Sequence, residues 1–472
     1  MLFNSFRFIG FFLVVYTLYR VLPFRGQNWL LLLASYLFYG CWDWRFLGLI
    51  WLSSTIDFLV AQIIYASSDP RRRGLLLSIS LVVNLGILFV FKYYGFFADN
   101  LHSLLSSLGF ELSWTTLRIV LPVGISFYTF QTMSYTIDVY RRQLVPTRHY
   151  FDYLLFVSFF PQLVAGPIER AGNLLGQVER PRCIGRSNWT EGAWLVLLGY
   201  YKKVVVADNL APIANAVFNA PALNSGMEIF VGLLAFAFQI YGDFSGYSDI
   251  ARGTARLMGF ELKLNFRMPY FAKSPSDFWS RWHISLSTWL RDYLYIPLGG
   301  NRGGPGKMYR NLFLTMLLGG LWHGAAWHFV AWGVYHGLLL IMFRMIGVTD
   351  KRPPRGNGLI QTISVMGFFM LTLGGWLLFR ANELADVPEL LTRMVHPWVW
   401  SGKKALLSVV VFAGPLMILD YYQERRADML AILHAAPVIR WAVCGILLLF
   451  LVVSGAMNSY EFIYFQFEGP AT

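Results

Sequence analysis

Charge is scarce in this sequence, and its scarcity is patterned. Only 14% of the 472 residues are Asp, Glu, Lys or Arg, whereas 56% are hydrophobic and 17% aromatic. A soluble domain carries about 25% charged residues. Leu75 to Phe91, Ala405 to Leu419 and Trp441 to Tyr460 hold no charge at all. A helix needs ~20 mostly apolar residues to cross a bilayer core, so this composition excludes a soluble enzyme. Cysteine is also rare. Cys41, Cys183 and Cys444 have neither pairing nor CxxC spacing, which leaves no disulfide framework and no zinc site to expect.

Other signals are missing too. The first apolar run, Phe6 to Leu22, carries Arg7 and Arg20 and ends at Pro23. It lacks a small-x-small cleavage site and reads as a retained helix rather than a signal peptide. No G-x-S-x-G elbow occurs, so serine-hydrolase logic fails. The glycine-rich stretch 299–306 lacks the G-K-[ST] ending of a phosphate-binding loop. Formal net charge is +13, which in a soluble protein would invite nucleic acid. Here Arg and Lys gather in the gaps between apolar runs, the positive-inside pattern of membrane proteins. No nucleic-acid partner is expected.

What is present is an all-α, polytopic membrane chain, a single membrane-embedded domain over residues 1–472. Windowed hydropathy gives roughly eleven transmembrane or re-entrant segments. Among them are a short run at 28–40, a run at 75–97, runs at 151–166 and 190–206, and one long stretch at 311–343. Arg71, Arg72 and Arg73 are expected in the cytoplasm, with 75–97 leading out to an external 98–118 loop. The 119–138 segment then returns to a cytoplasmic Arg141-Arg142 loop, whose own charge agrees.

The stretch from Asp243 to Arg310 mixes Asp243, Asp249, Asp277 and Asp292 with many basic residues and with Tyr270, Phe278, Trp279, Trp282 and Trp289. Such segments lie at a membrane interface. Its Arg281 and Arg291 suit the phosphates of a coenzyme A donor, because Arg and Lys recognise phosphate. Asp243 and Asp249 close a hydrophobic run, where they either polarise a histidine or mark the interface.

Polar groups inside a bilayer are costly, and each is a functional candidate. Three of the eight histidines, His323, His328 and His336, fall in a segment with no charge from Leu312 to Ile341. On one continuous helix at ~100° per residue they point three ways, which argues against a metal site. His323 is set between Gly319-Gly320 and Gly324-Ala325-Ala326. Small residues on both sides let another backbone or a substrate approach closely. An imidazole titrating near ~6.5 can take a proton from a hydroxyl and return it, as acyl transfer requires. His283 has interfacial neighbours and on residue types alone reads as structural.

Several dispersed motifs then carry a resemblance. Phe278 to Gly304, Arg310-Asn311-Leu312 and Gly319-Gly320-Leu321-Trp322-His323-Gly324 look like the membrane-bound O-acyltransferase family. So do Pro122 to Gln131, Ser134 to Tyr140 and Phe160 to Ile168; together they cover most of 120–345. The branch they resemble most acetylates alginate and other exopolysaccharides. The resemblance implies a bacterial inner-membrane enzyme with a tunnel through the bilayer and no bound cofactor. It implies acetyl-CoA, or a carrier thioester, as cytoplasmic donor, and a polysaccharide or a periplasmic acetyltransferase as acceptor. It makes His323 the catalytic histidine and His283 the second characteristic polar position. Trp322, Arg281, Arg291 and Asp243 become candidates for substrate binding, with Trp322 or His283 as oxyanion donors. Gly242, Ala326 and His328 depart from the family's usual residues. A lipid-linked-sugar flippase would explain the helices equally well but predicts inverted repeats, and none is found. A scaffold subunit leaves His323 without a reason.

Overall fold

A computed structural model describes the chain except for residues 111–116, 118, 165, 349–357, 396–400, 456–461 and 464–472. Every regular element among the described residues is helical. The backbone divides into two compact units: residues 1–188 with 254–262, and the described residues of 189–253 and 263–463.

In the first unit, α1 (Phe6–Val21), α2 (Phe24–Asp43), α3 (Leu47–Ala66) and α4 (Pro70–Leu88) precede α5 (Tyr94–Ser107) and α6 (Ile125–Tyr140). Three short helices follow: α7 (Tyr150–Ser158), α8 (Phe160–Leu163) and α9 (Ala171–Val178). The run at 28–40 is no re-entrant stub. It lies within a 20-residue helix whose first turn begins at Phe24, directly after Pro23, where the Gln27 N–H bonds the Pro23 carbonyl. The external loop expected at 98–118 begins later. Nothing between Phe91 and Ser107 breaks a helix, and a π-turn at Phe89–Tyr93 carries α4 directly into α5. The remainder of that loop falls largely outside the described residues. Arg142 donates to the Tyr65 carbonyl (2.6 Å) and the Ser67 carbonyl (2.9 Å), and Arg73 donates to the Tyr140 carbonyl. Both basic loops therefore sit at one end of the unit, as their charges predict.

The second unit begins with most of α10 (Arg186–Tyr200), a π-turn at Tyr201–Ala207 and α11 (Asp208–Asn219). Then come most of α12 (Gly226–Leu257), α13 (Pro275–Trp279), α14 (Ile284–Leu290), α15 (Pro305–His323) and α16 (Trp327–Met345). It ends with α17 (Gly358–Arg380), α18 (Asp386–Val395), α19 (Lys403–Arg426) and α20 (Pro437–Ser454). Glycines bring α10 and its π-turn against α12. A Cβ on Gly199 would stand 2.7 Å from the Gly246 carbonyl, and one on Gly242 2.8 Å from the Lys202 carbonyl. Small residues permit such approach inside a membrane, and Gly242 stands at a place where a side chain does not fit.

Seven helical stretches among the described residues are long and apolar enough to cross a membrane, fewer than the roughly eleven segments read from hydropathy. One reason is visible, while another segment divides in two rather than disappearing. The run at 151–166 folds as the short helices α7 and α8, whose residues 152–163 are all buried in protein. The long 311–343 stretch is a hairpin. Gly324 and Ala326 are both extended, and α15 turns back as α16. Gly320 and Gly333 meet where the two helices pack, since a Cβ on Gly320 would lie 2.9 Å from the Gly333 Cα.

Candidate functional site

The hairpin changes the geometry of the three histidines. His323 ends α15, whereas His328 and His336 belong to α16, so the single-helix angles do not apply. Among the described residues no three His, Cys, Asp or Glu side chains gather as metal ligands. His336 is enclosed by rings, 4.7 Å from Trp332 and 5.2 Å from Trp279 between centroids. His328 packs on Phe329 at 4.1 Å.

His323 occupies the end of α15 at 3% exposure. Its ring lies 4.9 Å from Trp332, 5.1 Å from Trp322 and 5.4 Å from Phe379. His283, fully buried, is 6.4 Å from His323 and 5.8 Å from Trp322. Phe244 closes its other side at 4.6 Å. The two histidines and Trp322, separated by 40 residues of sequence, thus come together within a cluster of packed aromatic rings.

His283 is also strained. It has φ +43° and ψ +53°, left-handed backbone that a non-glycine residue rarely adopts. Asn265 secures it. The Asn265 carbonyl accepts from the Ile284 N–H (2.9 Å), and its side-chain oxygen accepts from the Ser285 hydroxyl (2.9 Å) and N–H (3.3 Å). Its amide in turn donates to the Ser248 hydroxyl at 3.2 Å. Strain held this firmly is a reason to suspect function. Nothing in the sequence pattern around Asn265 announced it. Asn265→Ala is expected to let the His283 backbone relax and to lower kcat by up to ~10²-fold, the scale of a 1 Å misplacement. Steady-state kinetics checks this: a change confined to donor KM would place Asn265 elsewhere in the mechanism.

The remaining candidates are placed as follows. Arg281 is committed to its own fold: Nε donates to Asp277 (2.6 Å), and both terminal nitrogens hold Glu424 (2.7 and 3.0 Å). Arg291 is more open, with its side chain 60% exposed and Asp292 beside it at 2.8 Å. Asp243 neither polarises a histidine nor marks an interface. Its carboxylate takes Lys203 at 2.8 Å and the Ile463 N–H at 2.6 Å, and Lys203 also holds Asp208 at 2.8 Å. Asp249 has the matching place beside Lys202, 2.7 Å away. The paired lysines are hidden in the sequence because they lie inside an apolar run at 190–206, although two acids closing another run signal that partners exist. Many rings of 243–310 are core rather than interface: Phe278, Trp282, Tyr270 and Trp289 are all buried.

Residues 141–373 match the membrane-bound O-acyltransferase family. This chain belongs to that family and is a multi-pass membrane O-acyltransferase. It is 43% identical over 388 residues to the probable alginate O-acetylase AlgI of Azotobacter vinelandii, covering 81% of this chain and 76% of that protein. Against the protein of the same name from Pseudomonas syringae pv. tomato, identity is 40% over 444 residues, covering 91% and 84%. A peptidoglycan O-acetyltransferase of Helicobacter pylori is 36% identical over 419 residues, 82% of this chain and 77% of that protein.

Proposed function

We propose that this enzyme moves an acetyl group from a cytoplasmic thioester, acetyl-CoA, across the inner membrane to O-acetylate an exported polysaccharide of the alginate kind. Transfer is direct or relayed through a periplasmic acetyltransferase. The observation that carries the reading is the buried pairing of His323 and His283 around Trp322. It stands in a chain whose relatives include proteins named for O-acetylation of alginate and of peptidoglycan.

In this reading His323 accepts the proton of the acceptor hydroxyl as its oxygen attacks the thioester carbonyl. The C–O bond forms, the C–S bond breaks, and the proton passes from His323 to the departing thiolate. The Trp322 indole N–H or the His283 imidazole steadies the oxyanion. Donor and acceptor reach these residues by a tunnel from opposite faces. Turnover by the purified chain tests this: consumption of acetyl-CoA with acetylation of an alginate oligosaccharide supports it, and a flippase or scaffold would form no ester.

The donor contact assigned to Arg291 makes a separate expectation. Arg291→Gln should raise the apparent KM for acetyl-CoA several-fold with kcat little changed, the mark of lost uniform binding. Arg281→Gln should instead lower thermal stability, because it strands Asp277 and Glu424. An unchanged donor KM in Arg291→Gln would send the donor by another route.

A further inference from the structure

The first unit contains a cavity of about 260 Å³ that the acyl-transfer reading does not use. Arg25, Arg148, His149, Asp152 and the rings of Trp29 and Phe151 line it. Asp152 is already satisfied, accepting from Arg25 and from the Asn28 amide, each at 2.9 Å. Arg148 and His149 are exposed, and among the described residues their side chains have no hydrogen-bond or ion-pair partner. The lining therefore carries two guanidinium groups and an imidazole against one carboxylate. Such a mouth attracts an anion.

Three further observations say which anion. Gln62 donates to the Thr147 carbonyl near the end of α3, where Arg142 holds Tyr65 and Ser67. The cavity thus opens at the arginine-rich end of the unit, which the positive-inside rule assigns to the cytoplasmic, anionic leaflet. Trp29, Leu33 and Leu37 recur every four residues on α2 and are 53%, 60% and 56% exposed. They form an apolar track leading from the cavity along one helix face. Trp29 also packs on Phe151 at 4.4 Å, at the cavity's edge. A volume near 260 Å³ suits a headgroup, whereas sites for whole drug-sized ligands run to ~300–1,000 Å³.

We propose that this cavity binds the phosphate of an anionic phospholipid, with Arg148 and His149 on the phosphate and an acyl chain along Trp29, Leu33 and Leu37. The proposal is independent of the acyl-transfer chemistry. It is tested by native mass spectrometry of the full-length chain incubated with phosphatidylglycerol or phosphatidylcholine of identical acyl chains. The wild type should retain phosphatidylglycerol preferentially, and Arg148→Gln should weaken retention about fivefold, the worth of one basic residue near an anionic surface. Adding His149→Gln should weaken it further, with the melting temperature unchanged because both side chains are exposed. Equal retention of the two lipids, or full retention by the double variant, would overturn the proposal. Competition by coenzyme A or inorganic phosphate at matched concentration would also overturn it, by making a soluble phosphate the ligand.

Discussion

His323→Ala should lower acetyl transfer by ~10²–10⁴-fold, the usual cost of losing a general base, while expression and membrane insertion persist. The alanine variant also opens space between Trp322, Trp332 and Phe379, so His323→Gln is the sharper partner. Glutamine retains volume and hydrogen-bonding capacity but cannot act as a base at neutral pH. Both variants should be equally inactive. If either retains more than about a tenth of wild-type turnover, on that scale, His323 is a packing residue.

The second large effect is on stability. Lys203→Met should destabilise the chain by ~3–5 kcal/mol, the cost of removing one partner from a buried ion pair. Lys203 lies between Asp208 and Asp243 at 2.8 Å from each, and all three side chains are at most 3% exposed. Methionine keeps the stem and leaves two carboxylates facing each other with no cation. Combining it with Asp208→Asn and Asp243→Asn should recover most of the loss, because no buried charge then stands alone. Thermal unfolding in detergent measures both variants. An unchanged midpoint in Lys203→Met would remove the triad from the account of how α12 is held.

The membrane class was legible because it depends on averages: absent charge over whole runs survives any detail of packing. Boundaries depended on particular residues and were less legible. Gly324-Ala325-Ala326 reads in the sequence as a place of close approach, yet its sharper consequence is the reversal of chain direction between α15 and α16. Hydropathy cannot see that, since both helices are apolar and the turn carries no charge. His323 is a candidate on its small neighbours alone. His283 owes its place to Asn265, whose hydrogen bonds to Ile284 and Ser285 span 19 and 20 residues that no local pattern encodes. Lys202 and Lys203 were hidden by the opposite fault, because averaging over 190–206 diluted two charges that pair with acids 47 and 40 residues away. Arg281 illustrates a third limit: a basic residue in an aromatic segment looks ready for a phosphate until Glu424 is found holding it.

Vectorial transfer is the central claim, and sided proteoliposomes address it most directly. The purified chain is reconstituted with alginate oligosaccharide sealed inside, and labelled acetyl-CoA is supplied only outside. Acetyl ester should accumulate on the enclosed oligosaccharide, or on an enclosed periplasmic acetyltransferase where the acetyl group is relayed. It should stay at background in liposomes carrying His323→Gln. Ester formed with His323→Gln at the wild-type rate, or none formed by the wild type with either acceptor, would contradict the account.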